Sequence, residues 1–386
     1  MRCVKQRMVG QYRSDTRWDE QVDEEYQAIH EGILLSLRRA RGTSLSKRKH
    51  VDTKKPAAKW ISDARIRSDV GKALSVVLRT IGCSYALGRS SGCTMCSYLL
   101  DGSDQPVSPD DVIAQFESAR VSLKGLDGPL SVKIYTSGSF LDTTEVPMDA
   151  RMDILRTLGS DPRVREVVLE SRPSFVTEES MKQAREALGD RHVEIGMGLE
   201  SISDTVRRMC INKGFTLKEF SDAVKVAMSH NIGTRAYVLL KPPFLTERDS
   251  LLDSARTIQE AARMGVTTVS VNPVDVQRHT LVEDLWSAGA YRPPWLWTLV
   301  EILGRCRHNV NKDIPIVCDP VAAGKARGVH NCGVCDAAFV EAIRAFSLDQ
   351  DPRHLENLSC SCKSIWEHVL EHEDLSTHVH LETPSR

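Results

Sequence analysis

A chain of 386 residues is too long for one small domain and suits two or three. With 51 Lys and Arg against 52 Asp and Glu, bulk charge selects no polyanionic partner, and a nucleic-acid site would have to come from local clustering. Hydrophobic residues make up 41%, enough for a sizeable core. No apolar run approaches the roughly 20 residues that cross a bilayer, and the opening MRCVKQRMVG lacks the apolar segment of a secretory signal, so the expected setting is cytoplasmic, with no membrane.

Residues 1–70 read as a helical and basic extension. Tyr26, Ile29, Ile33, Leu34 and Leu37 recur at helical spacing over 24–39. Arg38, Arg39, Arg41, Lys47, Arg48, Lys49, Lys54, Lys55 and Lys59 follow, against Asp52 alone. Such a run is usually a solvated linker or helix face, although it can also steer a nucleic acid through its phosphates. From residue 71 to 305 short β-rich runs alternate with amphipathic helices. Strands are predicted at 75–80, 131–136, 164–171, 192–198, 234–240, 267–272 and 314–318. Helices are predicted at 109–123, 148–160, 178–188, 217–229 and 247–264. Ser108 before Pro109, and Thr246 before Glu247, are helix-start signals. Alternating units of these lengths imply an α/β fold: a parallel sheet curved into a partial or near-complete (β/α) barrel, whose chemistry collects at the C-terminal ends of the strands. Residues 306–386 read as a small cysteine-rich module ending in a frayed tail, THVHLETPSR.

Eleven cysteines are many for a cytoplasmic chain, and clustering there means metal or catalysis more often than disulfides. Cys3, Cys210, Cys306 and Cys318 stand alone and read as small buried hydrophobes. Cys83, Cys93 and Cys96 lie in GCSYALGRSSGCTMCSY, directly after the first predicted strand. Three thiolates on one loop can ligate three irons of a [4Fe–4S] cluster and leave the fourth iron open. The amino and carboxylate groups of S-adenosylmethionine (SAM) can chelate that open iron. A closed zinc shell wants four ligands, and no histidine lies close enough in sequence to complete one. The Cys-x9-Cys-x2-Cys spacing is longer than the common Cys-x3-Cys-x2-Cys, and Met95 stands where an aromatic usually precedes the third cysteine.

Later segments fall at successive strand ends. YTSGSFLD resembles the Gly-rich segment whose backbone groups hydrogen-bond the SAM amino group, and that resemblance implies the role for Ser137, Gly138 and Ser139. In ESRPSF, Glu170 suits the ribose or amine, and Arg172 is a weaker candidate that a surface ion pair would explain equally well. In GMGLES, Glu200 suits the ribose hydroxyls, and in INKG, Lys213 suits the SAM carboxylate. VLLKPPFLTE reads as a proline-stiffened loop facing the same site. Further on, Cys332-x2-Cys335 and Cys360-x-Cys362 form two close pairs that suit structural zinc or an auxiliary [4Fe–4S] cluster.

Taken together, GCSYALGRSSGCTMCSYLLDG, YTSGSFLD, LESRPSFV, GLES, LLKPPFLTE, HNCGVCD and CSCK resemble radical SAM enzymes. The order is similar to that of the elongator catalytic subunit, the methylthiotransferases and the oxygen-independent coproporphyrinogen oxidases, and most similar to the archaeosine-forming radical SAM family, RaSEA. The resemblance implies a carbon–nitrogen lyase of tRNA modification, with a [4Fe–4S] cluster and SAM as cofactors. Its substrate would be tRNA carrying a lysine adduct of 7-deazaguanine at position 15. Cleavage of the lysine carbon–nitrogen bond would leave the formamidine of archaeosine. The implied partners are the tRNA, the lysine-adding archaeosine synthase subunit (ArcS) and a reductant protein. Two other readings remain open at this level: a radical SAM enzyme acting on another RNA or small molecule, and a non-catalytic zinc protein that binds tRNA or a partner.

Overall fold

The computed structural model describes residues 24–374; Cys3, the opening decapeptide and the THVHLETPSR tail lie outside them. Its frame is one eight-stranded sheet in sequential order: β1 (Ala58–Ile66), β2 (Asp69–Val77), β3 (Leu130–Tyr135), β4 (Val164–Glu170), β5 (His192–Glu200), β6 (Gly233–Leu240), β7 (Thr268–Pro273) and β8 (Ile316–Val317). β1 pairs antiparallel with β2, and every later pairing is parallel. Among the described residues β1 and β8 do not pair, so the curled sheet is a partial barrel, in agreement with the expected fold class.

Helices return the chain between strands: α3 (Pro109–Arg120), α4 (Met148–Ser160), α5 (Glu178–Leu188), α6 (Leu217–Ser229) and α7 (Glu247–Arg263), with α1 (Glu24–Ser46) and the one-turn α2 (Ser84–Leu87) before them. Their starts are chemically marked. Ser108 caps α3 through the Asp111 amide, Thr246 caps α7 through the Asp249 amide, and Thr177 and Thr216 form capping boxes on α5 and α6. Alternate strand residues face these helices: Val132 and Ile134, Val167 and Leu169, Ile195 and Met197, Ala236 and Val238, Val269 and Val271 are all buried in one apolar core. The intervening residues, Lys133, Tyr135, Glu166, Glu170, Glu194, Arg235, Tyr237, Ser270 and Asn272 among them, line a cavity of about 2210 Å³ along the inside of the sheet. The period-two pattern therefore sends apolar groups outward and polar groups inward.

Two differences from the sequence expectation are instructive. The 1–70 extension contains β1, because AKWISDARI, which starts where the basic run ends, pairs over its full length with β2. That pairing also starts β2 at Asp69 rather than residue 75; its polar opening hides the strand. The edges are then covered rather than closed. α8 (Leu281–Ser287) and α9 (Leu296–Asn309) precede β8, and α10 (Asp336–Asp349) lies across the gap. Arg65 of β1 donates to the Leu348 carbonyl at 3.2 Å, and Ser347 holds both the amide and carbonyl of Cys318, each at 2.9 Å. Gln350 pairs with both polar backbone groups of Ile316, supplying β8 with the edge partner it lacks. α11 (Arg353–Glu356) and α12 (Lys363–His372) complete the described chain. No described helix is long and apolar enough to cross a membrane.

Candidate functional site

The loop after β2 has almost no regular structure of its own, so its shape must come from neighbours. Cys83, Cys93 and Cys96 all line the lumen cavity at the C-terminal ends of the strands. Their thiols interact electrostatically, and burial pushes Cys96 up to about 12, with Cys93 adding to the rise; burial raises Cys83 as well. Bare thiolates are therefore disfavoured here, and a cationic centre would relieve the site. Three thiols opening on one cavity are the number that ligates three irons of a cluster and leaves the fourth open. The donor set thus fits the group it is expected to hold.

Three pieces of chain outside the loop clamp it. Arg41 of α1 donates to the Ser91 carbonyl at 2.9 Å and the Cys96 carbonyl at 3.1 Å, and its remaining Nη1 is buried without a partner. Arg48 donates to Leu99, Ser103 and Ile81 carbonyls at 2.6, 2.9 and 2.8 Å. Two members of the basic run are accordingly loop clamps rather than phosphate contacts. From the far side, Asn212 takes a left-handed conformation (φ 54°) and donates to the Ser90 and Gly92 carbonyls at 2.9 and 2.7 Å. Thr94 bonds the Ile211 and Cys210 carbonyls at 3.0 and 2.8 Å, while Gln277 accepts the Ser97 amide at 2.9 Å. None of Arg41, Arg48, Asn212 or Gln277 carries a sequence motif that distinguishes it, apart from the tolerance of asparagine for positive φ.

The predicted SAM-facing residues gather around this loop. Ser137 donates to the Tyr98 carbonyl at 3.0 Å. The Gly138 and Ser139 amides donate to Glu145 at 3.0 and 2.7 Å, and Glu145 also accepts the Thr80 hydroxyl at 2.8 Å. Glu145, missed in the sequence, therefore joins the ends of β2 and β3. Gly138 packs so tightly that a Cβ there would lie 2.5 Å from the Cys83 Cα. Glu170 sits inside the lumen; burial lifts its carboxyl to about 8, against the pull of Lys213, with Glu145 and Glu200 adding to the rise. Lys213 meets Glu200 at 2.7 Å. Burial opposes the Lys213 charge, but Glu200 and Cys93 outweigh it and its pKa is raised. A Cβ on Gly198 would fall 2.3 Å from both partners, so the glycine makes room for the pair. Arg172 lies over the Tyr85 ring at 4.2 Å and donates to the Lys213 carbonyl at 3.1 Å, rather than forming an ion pair.

The proline-rich segment turns away from the cavity. Lys241 is buried in ion pairs with Glu247 and Glu373 at 2.8 and 3.1 Å. Glu247 in turn accepts the Trp295 amide at 2.8 Å, which couples the end of β6 to α9. The second cysteine group lies beside α9. Cys332–Cys335, Cys332–Cys360 and Cys335–Cys362 sulfurs stand 3.8, 3.7 and 3.8 Å apart. Bonds of about 2.3 Å at tetrahedral angles put sulfurs about 3.8 Å apart around a single ion. Trp297 donates from its indole to the Cys362 sulfur at 3.3 Å and Asn331 to the Cys335 sulfur at 3.4 Å, which stabilises thiolate charge. Cys335 and Cys362 also sit at the N-termini of α10 and α12, where the helix dipole favours an anion. Cys210, Cys306 and Cys318 are buried singly, as expected.

Gly138→Ala tests the contact with Cys83. The variant is expected to keep its circular-dichroism spectrum but to lose most of its iron on anaerobic reconstitution; normal iron content would show that the contact is not needed. Asn212→Ala, which removes two loop hydrogen bonds worth about 1 kcal/mol each, is expected to bind iron but release it faster to a chelator.

No protein-family model matches the chain. The archaeosine synthase subunit beta of Methanosarcina acetivorans is 42% identical over 324 residues, 84% of this chain and 92% of that one. The archaeosine synthase subunit beta of Thermococcus kodakarensis is 38% identical over 81% of this chain and 96% of that one. Among solved structures, Methanocaldococcus infernus Elp3 lacking its N-terminus aligns with a TM-score of 0.45 at 14% identity, over 58% of this chain and 55% of that one. Identity of this degree, carried along four-fifths of the sequence and spanning the thiolate loop, shows that the chain belongs to the archaeosine synthase subunit beta family, RaSEA.

Proposed function

We propose that this protein is a radical SAM enzyme of tRNA modification, which cleaves the carbon–nitrogen bond of a lysine adduct on 7-deazaguanine at position 15 and leaves archaeosine. The observation that carries this reading is the convergence of Cys83, Cys93 and Cys96 on the mouth of a polar lumen, in a chain whose relatives bear the name archaeosine synthase subunit beta. Cys83, Cys93 and Cys96 would hold a [4Fe–4S] cluster, and SAM bound to it would supply a carbon radical able to take hydrogen from an unactivated C–H bond.

The chain's own groups position and shield. Glu145 occupies the Gly138 and Ser139 amides, so that turn offers carbonyl oxygens, which suit an ammonium donor. Lys213 keeps spare N–H donors for a carboxylate, and Glu200 keeps a second oxygen for ribose hydroxyls. Arg172 braces the loop through Tyr85 and lines the cavity next to them. The partners are tRNA, the lysine-adding subunit ArcS and a reductant protein; the designation "subunit beta" among the relatives supports a second subunit.

The four C-terminal thiolates would hold zinc. Their single-ion spacing supports this over an iron–sulfur cubane, which sets its ligands on separate irons and therefore farther apart. Such an ion would pin α10 and α12 against α9.

Anaerobically reconstituted protein is expected to release archaeosine from adduct-bearing tRNA, and Cys93→Ala to abolish that release. Formation of 5′-deoxyadenosine without archaeosine would point to another substrate, and absence of both would remove the enzyme reading. Metal analysis separates the two sites: Cys93→Ala should lose iron and keep about one zinc, and Cys335→Ala should lose zinc and keep iron. Iron replacing zinc at the second group would reverse that assignment.

Glu170 supplies a pH signature. Its carboxyl, lifted to about 8, is protonated near pH 7 and should ionise when cationic SAM binds beside it. Calorimetry in buffers of different ionisation heat should then register close to one proton more released per SAM at pH 7 by wild type than by Glu170→Gln, the difference falling towards none above pH 9; the proton that the SAM ammonium sheds on chelating iron is common to both. Equal proton release by the two proteins at pH 7 would contradict this placement.

A further inference from the structure

Below the thiolate loop the lumen holds charge that its own neighbours do not satisfy. Glu194 is fully engaged. Thr267 and Thr268 donate to one of its oxygens at 2.8 and 2.6 Å, and Arg235 meets the other at 2.7 Å. Burial opposes the Glu194 charge, yet Arg235 and His192 hold its carboxyl well below the usual range. Lys133 stands apart from this set. It lines the cavity in the middle of β3 and makes no hydrogen bond or ion pair among the described residues, although burial and the Arg235 guanidinium pull its pKa down to about 8. Among the described residues Glu166 accepts the Ser131 hydroxyl at 2.7 Å and pairs with Arg235 at 3.9 Å, with His192 and Glu194 within 4.8 Å of its carboxylate. The Tyr237 hydroxyl is buried without a partner against Gly196, where a Cβ would lie 2.4 Å from it. An unpaired cation, an under-used carboxylate and an orphaned hydroxyl in one enclosed space are costly to a folded chain unless a ligand completes them.

We propose that Lys133 and Glu166 form a subsite for an α-amino acid group, Lys133 taking the carboxylate and Glu166 the ammonium. The inference rests on the adduct-bearing tRNA proposed above as substrate. The strand rise of about 3.3 Å per residue sets Lys133 about 7 Å below Tyr135, the last residue of β3 before the thiolate-loop contacts. An extended lysine side chain spans roughly 6 Å from its terminal nitrogen to its α-carbon, by summed bond lengths. The modified base can therefore stay at the mouth while the amino acid end reaches Lys133, with Glu166 two register positions deeper, opposite Ser131, and the carbon next to the linking nitrogen stops beside the thiolate loop. Lys133 and Glu166 are binding and positioning residues; neither touches the reacting bond.

The test compares tRNAs carrying two adducts of the same 7-deazaguanine, one with lysine and one with cadaverine, which lacks only the carboxylate. Equilibrium binding to reconstituted protein is measured beside turnover. Wild type is expected to bind the lysine adduct at least about tenfold more tightly, with the difference in turnover falling in KM rather than kcat. Lys133→Met should weaken the lysine adduct to the level of the cadaverine adduct and leave cadaverine binding unchanged, which also reports that the variant folds. Lys133→Arg should restore much of the preference. A tRNA adduct of 6-aminohexanoate, which lacks the ammonium, should bind equally to wild type and Glu166→Gln. Equal wild-type affinity for lysine and cadaverine adducts overturns the subsite, whether or not archaeosine forms. A Lys133-dependent preference without archaeosine release supports the subsite and overturns the proposed reaction.

Discussion

The arrangement depends on a constraint peculiar to the thiolate loop: three cysteines must face one point from a stretch of chain with almost no internal hydrogen-bond ladder. Buried backbone carbonyls there need donors, and regular structure does not supply them. Arg41 reaches in from α1, Arg48 from just beyond its end, Asn212 from the segment after β5 and Gln277 from the segment after β7. Two arginines thus satisfy five loop carbonyls, which is why α1 belongs to the site although it contributes nothing to the sheet. Glycine completes the fit where a side chain would collide, at Gly138 against Cys83 and at Gly214 against the Tyr85 ring.

The sheet provides a second, separate asymmetry. Its outer face is apolar and is filled by helices, whereas its inner face carries ionisable groups throughout its length. A barrel meant only as a scaffold would fill its interior with branched aliphatic side chains. Here Glu194 and Arg235 neutralise each other in the lumen, while Lys133, level with Glu194, and Glu170, level with Arg235, are left with perturbed acidities. The chain beyond β8 braces this frame: the Cys335 and Cys362 sulfurs, at the starts of α10 and α12, stand 3.8 Å apart, Trp297 of α9 donates to the Cys362 sulfur, α10 spans the open edge between β1 and β8, and Glu373 reaches back to Lys241 at the end of β6.

Much of this was legible in the sequence where pattern and chemistry coincide. The α4, α5 and α6 boundaries follow from amphipathic spacing, and threonine caps mark the starts of α5 and α6. Cysteine spacing singled out both cysteine groups, and the strand-end order singled out Ser137, Gly138, Glu170, Arg172, Glu200 and Lys213, which line the same cavity as the first group, whereas Ser139 is buried with its hydroxyl on Ser171. The misses have physical causes. β1 is an edge strand that is exposed at Ala58, Lys59, Trp60 and Asp63 and follows directly on the basic run, so it reads as a solvated linker. Arg41 and Arg48 look like surface charge because their acceptors are carbonyls some 50 residues away, which no local pattern reveals. Glu145 and Lys241 are decided by tertiary contacts in the same way, and Arg172 meets a ring rather than a carboxylate.

The central claim is that the thiolate loop delivers radical chemistry to the lysine carbon beside the linking nitrogen. The most direct measurement uses tRNA whose adduct is deuterated at that carbon alone, with reconstituted protein under single-turnover conditions. The account predicts deuterium in the 5′-deoxyadenosine formed alongside archaeosine. Archaeosine accompanied by unlabelled 5′-deoxyadenosine would contradict it.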